Sequence, residues 1–193
     1  MDDVNGILKK VQNKYIEILY YVSEYKIIFV DDKEMENVIE QIDSRFFYDL
    51  YWLYWNFITI RICAIMERKE TMSKKNLSIP LLISIAENKK LNCLKKLIIK
   101  KDNIEKKLKP FKDARNKAFG HYDLKSNIEK SVFERLELDN LKIICSEIED
   151  ILNLIELELG GTQTLYGARI SHGALKVNKV LKLGIKKRNE LKK

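Results

Sequence analysis

The amino-terminal part of the chain places its apolar side chains at the spacing of an amphipathic helix. Between Val4 and about Val30 these side chains recur at steps of three and four residues: Ile7, Leu8, Val11, Tyr15, Ile18, Leu19 and Val22. Steps of this size keep them on one face, because an α-helix turns once about every 3.6 residues. The pattern predicts a first helix that lays one face against a core.

The next segment predicts a longer helix that runs from Glu34 to Glu67. The acidic stretch DDKEMENV precedes and begins it, and carboxylates are favourable in the first turn of a helix. Beyond Arg45 the apolar residues cover most of the circumference, which is typical of a central helix. The polar residues Arg45, Asp49 and Asn56 fall along one seam. That seam either faces solvent or lines a polar cavity near a functional site.

The most apolar stretch of the chain, Phe46 to Met66, contains Asp49, Asn56 and Arg61. A charged side chain costs about 2.5–3.5 kcal/mol at the centre of a membrane helix. The stretch is therefore interpreted as a buried helix or a subunit interface, with no membrane association. The first residues, MDDVNGILKK, lack a cationic start followed by an apolar run, so a cytoplasmic location is predicted.

Three further helices are indicated by residues that favour helix ends. Ser78 is a natural N-cap, with Pro80 in the first turn of a short helix. A lysine-rich helix is predicted from Leu91 to about Lys109, and Pro110 should interrupt it, because proline lacks the amide and disfavours helix in the residue before it. A last strong helix is predicted from Asp139 to Leu159, with Asp139 as its N-cap.

Glycine and proline are scarce, with seven and two residues among 193, while Lys, Leu, Ile and Glu dominate. This composition predicts an all-α fold, a helical bundle with one or two additional short helices. The length suits one domain with an appendage. We expect residues 1–160 to form the helical domain and residues 161–193 to form a glycine-containing loop and a basic carboxyl-terminal helix or tail.

Charge is distributed unevenly along the chain. The net charge is +8, but Lys89 to Lys109 and Lys176 to Lys193 each carry +7, so the remainder carries −6. Such asymmetry suggests a polyanionic partner, since Lys and Arg neutralise phosphates in nucleic-acid binding. In the tail, Lys186, Lys187 and Arg188 are the candidate RNA contacts. The alternative is that both segments are solvated faces of a lysine-rich protein.

The three cysteines, Cys63, Cys93 and Cys145, are far apart and lie inside apolar or helical patterns. They are interpreted as small buried side chains in a reduced compartment. A structural zinc site needs a cluster of ligands, and the sequence has none. We therefore expect neither a metal nor another cofactor.

The stretch KDARNKAFGHYD, Lys112 to Asp123, combines groups that can cleave RNA through its own 2′-hydroxyl. That reaction needs a base, an acid and donors that hold the charge on the phosphorane. His121 titrates near neutral pH, and Arg115 offers a permanently charged planar fork that suits phosphate oxygens. Asn116 can orient either partner, and Lys117 adds positive charge and is a candidate RNA contact.

The spacing of Arg115 and His121 raises a geometric difficulty. Six residues on a regular helix turn through about 600°, which leaves the two side chains roughly 120° apart. They converge only if the helix ends between them or if a second copy of the motif faces the first across a two-fold axis. The second arrangement would also supply two histidines, one as base and one as acid.

The segment RNKAFGHYD resembles the signature of the HEPN superfamily, whose ribonucleases carry an arginine, a polar residue and a histidine four to six positions after the arginine. It is most similar to the abortive-infection U-type HEPN group, and the upstream NLSIPLLI resembles that group's segment after its tryptophan-containing helix. The similarity covers roughly Arg45 to Leu159. Gly120 and Tyr122 depart from the group's usual alanine and arginine.

The resemblance implies a HEPN-like bundle and a homodimer with the motif at its interface. It implies that Arg115 and His121 are catalytic, with Asn116 as their polar helper, in a metal-independent ribonuclease that leaves a 2′,3′-cyclic phosphate. The protein would serve as a toxin or an abortive-infection effector against phage, with RNA as substrate and an antitoxin or regulatory protein as partner. The alternative is a non-catalytic HEPN module that binds nucleotide, RNA or a protein.

Three other residues with titratable side chains are candidates for a supporting or surface role. Asp123 either supports His121 or caps the next turn, and Tyr122 is a candidate for modification or support next to His121. His172 follows a glycine-rich loop and is interpreted as a surface residue.

Overall fold

The computed structural model describes residues 4–119, 136–169 and 173–192, and in them the all-α prediction is confirmed. The helices are α1 (Val4–Phe29), α2 (Glu34–Ile42), α3 (Ser44–Ile65), α4 (Ile79–Asn88), α5 (Leu94–Ala114), α6 (Leu138–Glu158) and α7 (Gly173–Glu190). A π-helical turn, Arg115–Phe119, continues α5, and a 3₁₀ turn covers Tyr166–Arg169. Two short antiparallel strands, β1 (Glu70–Thr71) and β2 (Lys74–Lys75), form a hairpin.

The main core lies between α1, α3, α5 and α6, with α4 closing one side. Two of the polar groups that enter it are paired: the Tyr15 hydroxyl donates to the Cys145 carbonyl at 2.7 Å, and the Trp55 indole donates to the Tyr25 hydroxyl at 3.2 Å. Cys63, Cys93 and Cys145 are buried, as predicted, and none of them is in a disulfide. Of the helices in the described ranges, none is long and apolar enough to cross a membrane.

The predicted single helix from Glu34 to Glu67 is wrong, because α2 and α3 are separated at Asp43. Asp43 has an extended backbone (φ −166°, ψ 103°), and its carboxylate accepts a hydrogen bond from the Phe46 amide at 2.9 Å. A short acidic side chain competes with helical hydrogen bonding in this way, and it caps the helix that follows. At the start of α3, Arg45 and Asp49 form an exposed ion pair at 3.0 Å, so this part of the seam faces solvent.

The predicted interruption at Pro110 is also wrong, because α5 continues through it to Ala114. Proline removes one backbone hydrogen bond from a helix interior. The residues on either side of it nevertheless hold the helix, since Leu108, Phe111 and Ala114 are fully buried. Burial of such side chains contributes about 1.5–3 kcal/mol for each large one, which offsets a lost hydrogen bond.

The starts of α4 and α6 were both predicted from residues that favour the N-cap. Ser78 caps α4 as predicted, with its hydroxyl accepting from the Leu81 amide at 3.4 Å and Pro80 in the first turn. Helix α6 begins at Leu138, so Asp139 lies in its first turn instead of at the N-cap, and it accepts from Lys142 at 2.9 Å. That pairing holds the pKa of the Asp139 carboxyl below its ordinary value.

Helix α7 packs on α1 and α2, beside a small second core of Ile27, Ile28, Phe47 and Ala174. The buried Glu24 carboxylate accepts from the Ala174 amide at 2.7 Å. Asn178 donates to the Ile27 carbonyl at 2.9 Å, and Lys182 pairs with Asp32 and Glu34 at 2.7 and 2.6 Å. The basic segment is therefore a docked helix from Gly173 to Glu190.

Candidate functional site

The end of α5 fixes the orientation of Arg115. Its Nε donates to Oδ1 of Asn116 at 3.0 Å, and a terminal guanidinium nitrogen donates to Oε2 of Glu67 at 3.0 Å. Arg115 begins the π-helical turn, in which the backbone is wider than in an α-helix. Two acceptors at different corners of the planar fork leave it little freedom to rotate. The guanidinium N–H groups that bind neither Asn116 nor Glu67 are therefore held in a fixed direction, away from both acceptors.

Glu67 reaches Arg115 from just beyond the end of α3. The side chains are 29% and 41% exposed for Arg115 and Glu67, so the pair is half-buried and remains accessible to a solvent-borne ligand. Partial burial reduces screening by salt, so both Glu67 and any anion that approaches the guanidinium interact with it more strongly than at a fully exposed site.

The Cys63 thiol is buried and interacts electrostatically with both members of this pair. Burial raises its pKa to about 11, Glu67 adds to the effect, and the positive charges of Arg115 and Lys112 oppose it. A thiol with this pKa stays protonated near neutral pH, and only the thiolate is strongly nucleophilic. Cys63 therefore contributes packing to the main core.

The structure brings together only some of the predicted site residues. Arg115 and Asn116 are in contact, and Lys117 is exposed on the same turn. His121, Tyr122 and Asp123 lie outside the described residues, as does His172. The convergence of Arg115 with His121 therefore stays a prediction.

The three tail residues predicted to contact RNA differ in the contacts that they make within the protein. Arg188 donates to the backbone carbonyl and the side-chain oxygen of Gln41 at 3.0 and 3.2 Å, which ties it to the end of α2. Lys187 lies 3.6 Å from Glu190, whereas Lys186 is exposed. Their proposed contact with RNA is untested.

Sequence reasoning missed Glu67 as the partner of Arg115. The two residues are 48 positions apart, and Glu67 stands in a polar stretch with no spacing that marks it. Only the packing of α3 against the π-helical turn brings them together. Among the residues that the structure covers, no group of three or more His, Cys, Asp or Glu side chains could hold a metal ion.

The aromatic run of α3 divides into a core part and an exposed part. Trp55 is buried, and its ring centroid lies 6.3 Å from that of Phe111, with the two ring planes tilted by 40°. Tyr48, by contrast, is exposed and borders an apolar cleft of about 360 Å³ whose walls are Phe29, Ile39, Ser44, Phe47, Tyr51 and Trp52. This cleft lies at the start of α3, whereas Glu67 and Arg115 lie beyond its other end.

An all-α bundle that presents an arginine and its polar neighbour at a helix end has the arrangement expected of a HEPN domain. The family model for AbiU2, a HEPN family, matches residues 1–173, nearly the whole chain. The chain belongs to this family, which confirms the resemblance found in the motif. No curated protein and no solved structure shows a significant match.

Proposed function

We propose that this chain is a metal-independent endoribonuclease of HEPN type that acts as a homodimer in abortive infection or as a toxin. Membership of the AbiU2 family supports a HEPN-type abortive-infection module. The observation that carries the nuclease assignment is the fixed Arg115 guanidinium, held by Asn116 and Glu67 at the end of α5.

In this proposal Arg115 binds the scissile phosphate. Its free N–H groups donate to the non-bridging oxygens, and these contacts strengthen as charge builds on the phosphorane. Asn116 keeps the fork from rotating, since it accepts from Nε. Because the donors are already oriented before the substrate arrives, little reorganisation opposes the reaction.

His121 supplies the proton transfers. As a neutral imidazole it removes the proton from the 2′-hydroxyl, and as an imidazolium it protonates the departing 5′-oxygen. A homodimer with the motifs facing each other provides one histidine for each task. The products are a 2′,3′-cyclic phosphate and a 5′-hydroxyl.

The test is cleavage of total RNA by the wild type and by His121→Ala in the presence of EDTA, with analysis of the product ends. We expect the wild type to cut and leave cyclic phosphate, and the variant to be inactive while it keeps the same helical content and molecular mass. Cleavage that persists in His121→Ala, or that disappears in EDTA, would contradict the proposal.

The ion pair between Glu67 and Arg115 favours one alternative function. A carboxylate that neutralises the guanidinium weakens its attraction for phosphate, as expected of a HEPN module that binds RNA or a protein without cutting. Glu67→Gln separates the two cases. If Glu67 only orients Arg115, the variant cuts RNA more slowly. In a non-catalytic module, it binds RNA more tightly and cleavage stays absent.

A further inference from the structure

A row of polar side chains at three-residue steps leads along α5 to the candidate site. Its members are Lys100, Asn103, Lys106, Lys109, Lys112 and Arg115, all basic except one. Side chains three apart on a helix are neighbours, with Cβ atoms about 5–6 Å from each other. The row therefore forms one inclined ridge that turns around the helix axis by about 60° at each step.

The first two members of the ridge are paired with acids of α6. Lys100 binds Glu147 at 2.9 Å and Asp150 at 2.6 Å, and the Asn103 amide donates to Glu147 at 3.3 Å. This end of the ridge helps to hold α5 against α6. Its charge is compensated within the protein.

The next three members are different. Lys106 and Lys109 are exposed and Lys112 is half-buried, and none of them forms an ion pair with another residue in the described ranges. The carboxylates of Asp102 and Glu105, the acids nearest in sequence to Lys106, lie 3.4 and 3.3 Å from Lys101 instead. Three uncompensated cations thus follow one another up to Arg115.

We infer that the ridge of Lys106, Lys109 and Lys112 binds successive phosphates of single-stranded RNA next to the phosphate held by Arg115. This inference rests on the proposed ribonuclease function and names the surface that would deliver its substrate. The Cβ atoms of neighbouring ridge residues lie about 5–6 Å apart, and the long lysine side chains can spread to reach successive phosphates of a strand. Attack by a 2′-hydroxyl also requires a backbone that is free to rotate, which a duplex restrains.

The test compares two double variants with equal loss of charge. Lys106→Gln/Lys109→Gln removes two exposed ridge lysines, and Lys95→Gln/Lys96→Gln removes two exposed lysines from the beginning of the same helix. Both are made in the full chain carrying His121→Ala, so that cleavage does not disturb binding. The dissociation constant of a fluorescein-labelled oligouridylate is measured as a function of salt concentration.

We expect the ridge variant to bind more weakly and to lose about 1.4 from the salt slope, since each phosphate contact on a single strand contributes about 0.7. The control pair should change the slope by less than half as much. Equal changes in the two variants, or tighter binding of a duplex of the same length by the parent, would overturn the inference.

Cleavage by chains that retain His121 distinguishes this inference from the nuclease proposal. If the ridge variant alone loses binding while the wild type never cuts, the RNA surface stands and the nuclease proposal fails. If the wild type cuts and the ridge variant cuts and binds equally well, the nuclease proposal stands and the ridge has no part in it.

Discussion

Helices α5 and α7 are both rich in lysine, yet they use their charge differently. On the ridge of α5, Lys100 is compensated by acids of α6, and the three lysines without an ion pair in the described ranges, Lys106, Lys109 and Lys112, lead to Arg115. On α7, Lys182 and Arg188 bind groups of α2 and the turn before it, and so hold the helix to the bundle. Two sequence segments with the same net charge therefore differ in what their paired cations hold: Lys100 joins α5 to α6, whereas Lys182 and Arg188 join α7 to α2 and the turn before it. The positions of acids on neighbouring helices decide the difference.

Helix α5 contributes to the main core, whereas α7 is docked on the outside of α1 and α2. Phe111→Ala should lower the free energy of unfolding by about 3–5 kcal/mol, because it leaves a cavity beside Trp55. Leu181→Ala on α7 should cost about 1 kcal/mol, since that side chain is only half-buried. Urea denaturation followed by circular dichroism measures both values. Equal losses would remove the distinction between the two helices.

A second prediction concerns Arg115, at the end of α5. Arg115→Lys keeps the charge but loses the planar fork that Asn116 and Glu67 orient, so we expect kcat for RNA cleavage to fall about a hundredfold. Arg61→Lys is the matched control, because Arg61 also pairs with a glutamate, Glu17, but on another face. A similar loss in the control would show that any paired arginine supports the fold and, through it, activity.

A third and smaller effect concerns the attachment of α7. Glu24→Ala removes the buried acceptor of the Ala174 amide, which should weaken docking by about 1–3 kcal/mol. Hydrogen exchange should then be faster in α7 and little changed in α5 and α6. Glu17→Ala, which removes the half-exposed partner of Arg61 from the same helix, serves as the reference. Unchanged exchange in α7 would mean that its apolar contacts alone hold it.

The sequence predicted the elements whose signals are local. The spacing of apolar residues marked α1, and Ser78 with Pro80 marked the start of α4. The break at Asp43 was missed because apolar residues continue on both sides of it. The effect of Pro110 was overestimated because the burial of Phe111 depends on tertiary packing, which the local sequence does not show. For the same reason Arg115 and Asn116 could be found in a motif, whereas Glu67 could not.

The bond between Glu24 and Ala174 also bears on the order in which the protein folds. It joins residues 150 positions apart, and contacts so distant in sequence require closure of a long loop. Helices α5 and α6 pack across a much shorter stretch of chain. During synthesis, which proceeds from the amino terminus, the groove for α7 on α1 and α2 is complete before α7 itself is made. We expect Ile27, Ile28 and Phe47 to stay accessible to chaperones until that last helix arrives.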